Sequence, residues 1–209
     1  MSRNAIIVLA RAPEPGRVKT RLMPALGAEG ACRVHEQLLE HTLATVAGTP
    51  HTVWLYVAGD ESRLHARAGE LGLRLRPQHE GGLGERMAAA LTEVHEQAFD
   101  RVVLVGSDCP VLDIPYLERA LDALGHADFV LGPAEDGGYV LLGSALSSAW
   151  SRGLLDGVRF GGPHAEADTR GRLGTLGRVA RLGQLWDVDE PQDWARARAL
   201  PFPPAGGVW

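Results

Sequence analysis

The chain opens on a short, uninterrupted apolar run, Asn4-Ala-Ile-Ile-Val-Leu-Ala10. A run of this length without polar alternation fits a strand buried on both faces, as in a parallel sheet. The runs at 52–58 and 101–106 repeat the pattern. Between the first two, Val34, Leu38, Leu39, Leu43 and Val46 recur mostly at spacings of three and four and stop at Gly48 and Pro50, which predicts a helix. Further helical patterns cover 61–71, 85–99, 114–124 and 166–176 and resume at Glu190, and short strands are predicted at 73–76, 129–131 and 179–182. Glycine-rich turns interrupt the pattern at 81–84 and 136–138, and beyond Leu142 it becomes less regular, with a glycine-rich loop at 153–162. Alternation of strand and helix predicts a three-layer α/β/α sandwich with a mostly parallel, doubly wound sheet. Residues 1–200 are expected to form a single domain and 201–209 an irregular tail. In such sheets ligands bind beyond the carboxyl ends of the strands.

Composition narrows the class. The 209 residues are 45% apolar, ample for a core, yet no apolar run is long enough to span a bilayer, and Met1-Ser-Arg-Asn4 does not open a secretory signal. A soluble cytoplasmic protein is expected. Cys32 and Cys109 stand far apart without metal-ligand spacing, so neither a disulfide framework nor a zinc site is indicated. A formal charge of −5 argues against nucleic acid as a partner.

The basic residues are clustered locally, and the bound anion should be small. Lys19 is the sole lysine among 21 lysines and arginines, and it sits in the loop after the first strand with Arg11, Arg17 and Arg21. An ammonium is a compact point charge where guanidinium is a wide fork, so this loop reads as a phosphate trap built around a position that arginine would not suit. Removing Lys19 is therefore expected to abolish nucleotide binding with thermal stability nearly unchanged. Asp108 follows the strand 101–106, where it could ligate Mg2+ or Mn2+ bridging to a diphosphate, or equally cap the following helix or stabilise the turn. Gly81, Gly82 and Gly84 could admit a ligand close to the backbone or be ordinary turn residues, and His79 beside them could touch a ligand. A P-loop is excluded because Gly16 and Lys19 are not adjacent, and there is no Gly-x-Gly-x-x-Gly after the first strand and no His-Glu-x-x-His.

Five motifs in fixed order, Ala12-Pro-Glu-Pro-Gly-Arg-Val-Lys-Thr-Arg-Leu22, Leu83-Gly-Glu-Arg-Met87, Gly106-Ser-Asp-Cys-Pro110, Gly132-Pro-Ala-Glu-Asp-Gly-Gly-Tyr139 and Asp187-Val-Asp189, closely resemble a bacterial family of GT-A type nucleotide-diphospho-sugar transferases. Some of its members are described as arsenosugar-biosynthesis glycosyltransferases, and the resemblance extends to guanylyltransferases acting on phospholactate and molybdopterin. It implies a nucleotide or nucleotide sugar as substrate and a divalent metal. It further implies that Lys19 and Arg21 contact the diphosphate, that the backbone from Ala10 through Arg11, Ala12 and Pro13 to Gly16 lines the nucleotide, and that Gly84 and Arg86 approach it. Arg86 could instead pair with an acid on its own helix. By the same resemblance Asp108 binds metal, Glu135 and Asp136 face the sugar or acceptor, and Asp187 or Asp189 supplies a second metal contact or a base. Asp189 could alternatively cap the last helix. Two departures stand out: Gly82 replaces an aspartate common in relatives, and Phe160-Gly161-Gly162 replaces a tryptophan followed by serine or threonine. The implied chemistry is metal-dependent glycosyl transfer, with nucleotidyl transfer or non-catalytic nucleotide binding as alternatives that the same fold can host.

Overall fold

A computed structural model describes residues 3–150 and 153–201. Seven strands, β1 (Asn4–Arg11), β2 (Thr52–Ala58), β3 (Arg74–Pro77), β4 (Arg101–Val105), β5 (Phe129–Pro133), β6 (Tyr139–Ser144) and β7 (Val179–Arg181), form one sheet in the order β3-β2-β1-β4-β6-β5-β7. All pairings are parallel except those of β6, which runs antiparallel between β4 and β5. The continuous apolar runs behave as their composition requires. On β1, Ile6 and Val8 enter one core while Ala5 and Ile7 enter the other. Successive side chains of a strand point to opposite faces, so only a strand covered on both sides can be apolar throughout.

The described residues form six α-helices, α1 (Met23–Ala47), α2 (His65–Glu70), α3 (Leu83–Glu96), α4 (Ile114–Ala123), α5 (Ala165–Leu173) and α6 (Pro191–Ala197), of which the first five pack on the sheet. Leu39, Leu43 and Val46 of α1 pack with α2 and α4 on one face, and α3 and α5 pack on the other. The three-layer, mostly parallel architecture expected from the sequence is the observed one. A third, smaller cluster joins Val34 and Leu38 of α1 to Trp186, Val188 and Ala197, which fastens the segment before α6 against the first helix. Helix α1 starts at Met23, about three turns before the apolar spacing that begins at Val34, and is kinked at Gly27, whose φ of 70° breaks the regular backbone. Strand β6 was not expected, although Val140-Leu141-Leu142 is an apolar run like the others. The turn of Asp136 to Gly138 makes it the return arm of a hairpin with β5, rather than the start of an irregular region. The expected tail at 201–209 lies, apart from Pro201, outside the described residues. Among those residues no helix is long and apolar enough to cross a membrane.

The sequence order of the sheet reverses between β1 and β4. That switch point opens a crevice at the carboxyl ends of the strands, where loops diverge to opposite faces.

Candidate active site

The loop after β1 is built to turn Lys19 inward. The Ala12 N–H donates to the Ala58 carbonyl at 2.8 Å, which carries the β1–β2 ladder one step further and buries Ala12. Gly16 then takes a left-handed φ of 82°, and Lys19 follows with φ 46° and ψ 45°. A non-glycine residue in that region costs on the order of 1–2 kcal/mol, so surrounding contacts must hold it there. The holding contacts are visible: Lys19 Nζ donates to the Val188 carbonyl at 2.6 Å and to Asp108 Oδ2 at 2.9 Å, and lies 3.4 Å from Asp189 Oδ1. With the side chain only 5% exposed, all three ammonium protons are engaged within the protein. Burial on its own would lower the lysine pKa, but Asp108 and then Asp189 outweigh it and the net shift is upward. The expectation that Lys19 could be removed at little cost in stability does not fit this geometry.

The acids come from three strand ends. Asp108 follows β4, and its main chain accepts from the Val188 N–H at 3.0 Å, tying the segment before α6 to the end of β4. Burial would raise the Asp108 carboxyl, yet the Lys19 charge and its hydrogen bond hold it below its ordinary value. Asp189 also binds Arg21 Nη1 through Oδ2 at 2.6 Å, so both its oxygens are committed to cations. Asp187 has no ion pair of its own among the described residues: burial, followed by the charges of Asp136, Asp189 and Asp108, outweighs the Lys19 charge and pushes its pKa up to about 6. Asp136 sits in the β5–β6 turn, where Oδ1 accepts the Gly138 N–H at 2.8 Å. Gly137 between them has a φ of 88°, and a Cβ there would collide with the backbone of Pro163. Only glycine lets this turn dock so closely.

On the β1–β2 side the charges are positive. Arg86 of α3 donates through Nη1 to Gln78 Oε1 at 3.0 Å, while its Nε is buried without a partner. Gln78, just past β3, is itself fixed, because its amide nitrogen donates to the Ala10 carbonyl at 2.8 Å and the Tyr56 carbonyl at 3.1 Å. Burial and then the nearby charge of Arg11 lower the Arg86 pKa, and among the described residues no carboxylate pairs with either guanidinium. His35 of α1 is kept neutral by burial and donates through Nε2 to the Arg11 carbonyl at 2.9 Å, which anchors the start of the loop. The cationic and acidic groups share one cavity of about 670 Å³, walled on the α3 side by Leu83, Met87, Tyr139 and Phe160.

Of the residues singled out from sequence, Ala10, Arg11, Arg17, Lys19, Arg21, Arg86, Asp108, Asp136, Asp187 and Asp189 line this cavity. Five others do not. Ala12 and Pro13 are buried at the end of the β1–β2 ladder, and Gly16 shapes the loop. Gly84 faces protein rather than ligand: a Cβ there would stand 2.9 Å from Leu155 Cβ and 3.1 Å from Phe160. Glu135 turns outward into a forked pair with Arg196 at 2.8 and 3.2 Å. Several open alternatives close here. The cap of α4 is Asp113, which accepts from the Tyr116 N–H, and not Asp108. The cap of α6 is Glu190, and Asp193 reaches back to the Glu190 N–H at 2.7 Å, so Asp189 is not the cap. Arg86 pairs with Gln78 instead of an acid of its own helix, and His79 lies against Glu93 at 3.5 Å. His35 and Gln78 escaped notice in the sequence. A polar ring at the apolar spacing of α1 is a signal that could have found His35, whereas nothing in the local pattern distinguishes Gln78 from a loop residue.

The profile of the family described as "Uncharacterized protein conserved in bacteria (DUF2064)" matches residues 41–162, more than half of the chain. The chain belongs to the DUF2064 family. Among solved structures, this DUF2064 protein is similar to a candidate nucleotide-diphospho-sugar transferase from Desulfovibrio desulfuricans, with 30% identity and a TM-score of 0.81 over 91% of this chain and 84% of that one. It shares its fold with a nucleotidyl transferase from Methanothermobacter thermautotroptrophicus (15% identity, TM-score 0.65, 95% and 97% covered). A Mycobacterium tuberculosis protein solved as its manganese complex also has this fold (20% identity, TM-score 0.58, 95% and 99% covered). No curated protein sequence matches the chain.

The donor set fits one kind of metal site. Among the described residues no three histidine, cysteine or acidic side chains converge to make a protein-only cage. Asp108 and Asp189 do converge on one point, the Lys19 ammonium. One or two carboxylates suit an ion such as Mg2+ or Mn2+ that completes its shell with water and substrate phosphate oxygens.

Proposed function

We propose that this DUF2064 protein is a transferase that takes a nucleotide-diphospho-sugar together with Mg2+ or Mn2+ and passes the sugar to an acceptor hydroxyl. The observation that carries this reading is the division of a single cavity at the sheet's switch point. Among the described residues Arg11 and Arg86 have no carboxylate partner on one side, and Asp108, Asp136, Asp187 and Asp189 gather on the other. A diphosphate ester of a sugar needs both, an anion seat for the leaving group and a carboxylate near the reacting carbon. Arg11, Arg17 and Arg86 would neutralise the departing nucleoside diphosphate, with Lys19 at the junction of the two sides. Asp108 and Asp189 would hold the cation, which when bound adds Lewis-acid stabilisation of the same charge. Asp187 is the favoured proton acceptor, because a carboxyl at about 6 is poised near neutral pH. Asp136 is the other carboxylate on that rim. Residues 1–200 are taken as one catalytic unit working in the cytoplasm.

The fold shared with a nucleotidyl transferase supports a second reading, in which a substrate phosphate attacks a nucleoside triphosphate in the same cavity. Incubation with Mn2+ or Mg2+, a panel of nucleotide sugars and triphosphates, and cell extract as acceptor separates the two. Nucleoside diphosphate released from a sugar donor is the expected product. Pyrophosphate released from a triphosphate would replace glycosyl by nucleotidyl transfer, and neither product from a protein that binds nucleotide would leave a binding module.

A further inference from the structure

Lys19 stands where the cation is expected. Its Nζ lies between Asp108 Oδ2 at 2.9 Å and Asp189 Oδ1 at 3.4 Å, the two carboxylates with the chemistry to ligate a divalent ion. A divalent cation would need those oxygens at roughly 2.0–2.1 Å. On Asp108 Oδ2 it would stand at close range to an ammonium that already holds that oxygen, and the two positive charges repel, which favours one occupant of that position at a time. Arg21 remains on Asp189 Oδ2 whichever of the two is present. Asp108 has no second side-chain cation among the described ion pairs, so it is the carboxylate that must change partners.

We infer that Lys19 is a built-in occupant of the cation position, and that the cavity therefore takes a divalent cation and a diphosphate together, as a chelate, rather than either alone. This rests on the transferase reading for its ligand class and deepens it. A cation entering by itself displaces Lys19 from Asp108 and strands a buried ammonium with Val188 and a shared Asp189 as partners. A diphosphate arriving by itself finds Arg11 and Arg86 but not the lysine, which is still committed to the acids. When both arrive, the cation replaces the ammonium on Asp108 and the freed ammonium meets a phosphate oxygen. Every charge then has a partner. Lys19 is on this account a positioning residue in the empty protein and a phosphate ligand only in the loaded one.

The test uses the full chain, with Mn2+ and inorganic pyrophosphate as probes. Free Mn2+ is followed by electron paramagnetic resonance, with the intrinsic stability of the Mn2+–pyrophosphate complex measured separately. Pyrophosphate should tighten Mn2+ binding by about tenfold or more beyond that intrinsic term. Lys19→Met should shift Mn2+ alone the other way from an ordinary site-damaging change, tightening it by about tenfold, because Asp108 loses its resident cation. At the same time its pyrophosphate binding should weaken. Unchanged or weaker Mn2+ binding in a folded Lys19→Met protein overturns the inference. The unmodified protein supplies a measurement that needs no variant. As the sole lysine, Lys19 labelled with 13C at Cε gives one resonance, which millimolar Mg2+ or pyrophosphate singly should leave in place and the two together should move. A resonance that moves with Mg2+ alone, or that stays with both, also overturns it. Linked binding without turnover of any nucleotide donor would remove the transferase reading alone, and turnover with unlinked Mn2+ binding would remove this inference alone.

Discussion

On the β4–β7 side of the cavity four carboxylates share space with Lys19 and Arg21, whereas on the β1–β2 side Arg11 and Arg86 meet with no acid between them. The two sides differ in sign and in how the charge is compensated. The acid side is largely closed on itself: Lys19 and Arg21 bind Asp108 and Asp189, and Val188 is pinned to Asp108 on the main chain. The cation side is held only by neutral groups, Gln78 for Arg86 and His35 for the Arg11 carbonyl. A compensated cluster contributes to the fold, and an uncompensated one leaves its free energy to be realised when a ligand arrives. Opposite responses to mutation follow.

The largest effect is expected at the acid side. Removing one partner of a fully buried ion pair costs ~3–5 kcal/mol because the other charge is left alone. Lys19→Met should cost somewhat less, roughly 2–4 kcal/mol, since Asp108 and Asp189 keep 40% and 44% of their side chains exposed. Urea unfolding at pH 7.5, about 3 pH units above the ordinary carboxyl range, measures it. A loss below about 1 kcal/mol would mean the pair does not support the fold, and the contrast between the two sides would dissolve.

Arg86→Met sharpens the contrast from the other side. Its guanidinium has one neutral hydrogen-bond partner and a like charge nearby, so its loss should leave unfolding within about 0.5–1 kcal/mol of the parent, or slightly stabilise it. Binding of a nucleoside diphosphate should fall by the ~1.5–3 kcal/mol of a charge-assisted hydrogen bond, or roughly 10–100-fold. Calorimetric titration beside a thermal melt gives both numbers. A variant that unfolds early while still binding its ligand would exchange the roles assigned to the two sides.

Gly137→Ala addresses the support of the acid side rather than its charge. Forcing a Cβ against Pro163 at a φ of 88° should destabilise by roughly 1–3 kcal/mol. It should also displace the Asp136 turn, seen as a fall in kcat larger than any rise in KM. Retention of both stability and kcat would show that the turn can shift away from the 163–166 segment without consequence.

These differences in compensation explain what the sequence could and could not disclose. The sheet was legible because Ile6 and Val8 on one face and Ala5 and Ile7 on the other demand apolar residues in succession. The sites of Lys19, Asp108 and Asp136 were legible as ends of strands, since topology places every parallel strand end on one edge, whereas Asp187 was reached only through the family resemblance. What was not legible was their pairing. Whether Lys19 meets a phosphate or Asp108 depends on a left-handed backbone at Lys19 and on Val188 being drawn against α1, both fixed by tertiary contacts. Glu135 illustrates the converse. It neighbours Asp136 in the chain, but alternation across the bridge at Ala134 turns it outward to Arg196, where no pattern of spacing would have found its partner.

The smallest effect, and the most specific, belongs to Asp187. Its folded pKa of about 6 lies above the ordinary value of 3.8, so between those two values the folded protein binds the proton more tightly than the unfolded chain does. Stability from this group is therefore fully present below about pH 4 and is lost as pH rises through about 6, where the ionised carboxylate must stand among Asp136, Asp189 and Asp108. Asp108, held low by Lys19, runs in the opposite sense, and its contribution is lost as pH falls. Asp187→Asn removes the penalty without changing the shape of the side chain. With chelator present to keep the cavity free of metal, the variant should melt with the parent near pH 4 and exceed it at pH 8 by roughly 2–4 °C, the shift that about 1 kcal/mol produces in a chain of this size. Melting curves across that range decide the point. A difference independent of pH would assign Asp187 to ordinary packing, whereas a difference that grows between about pH 4 and 6 and then levels off would show that an acid with no ion pair of its own leaves the acid side incompletely compensated.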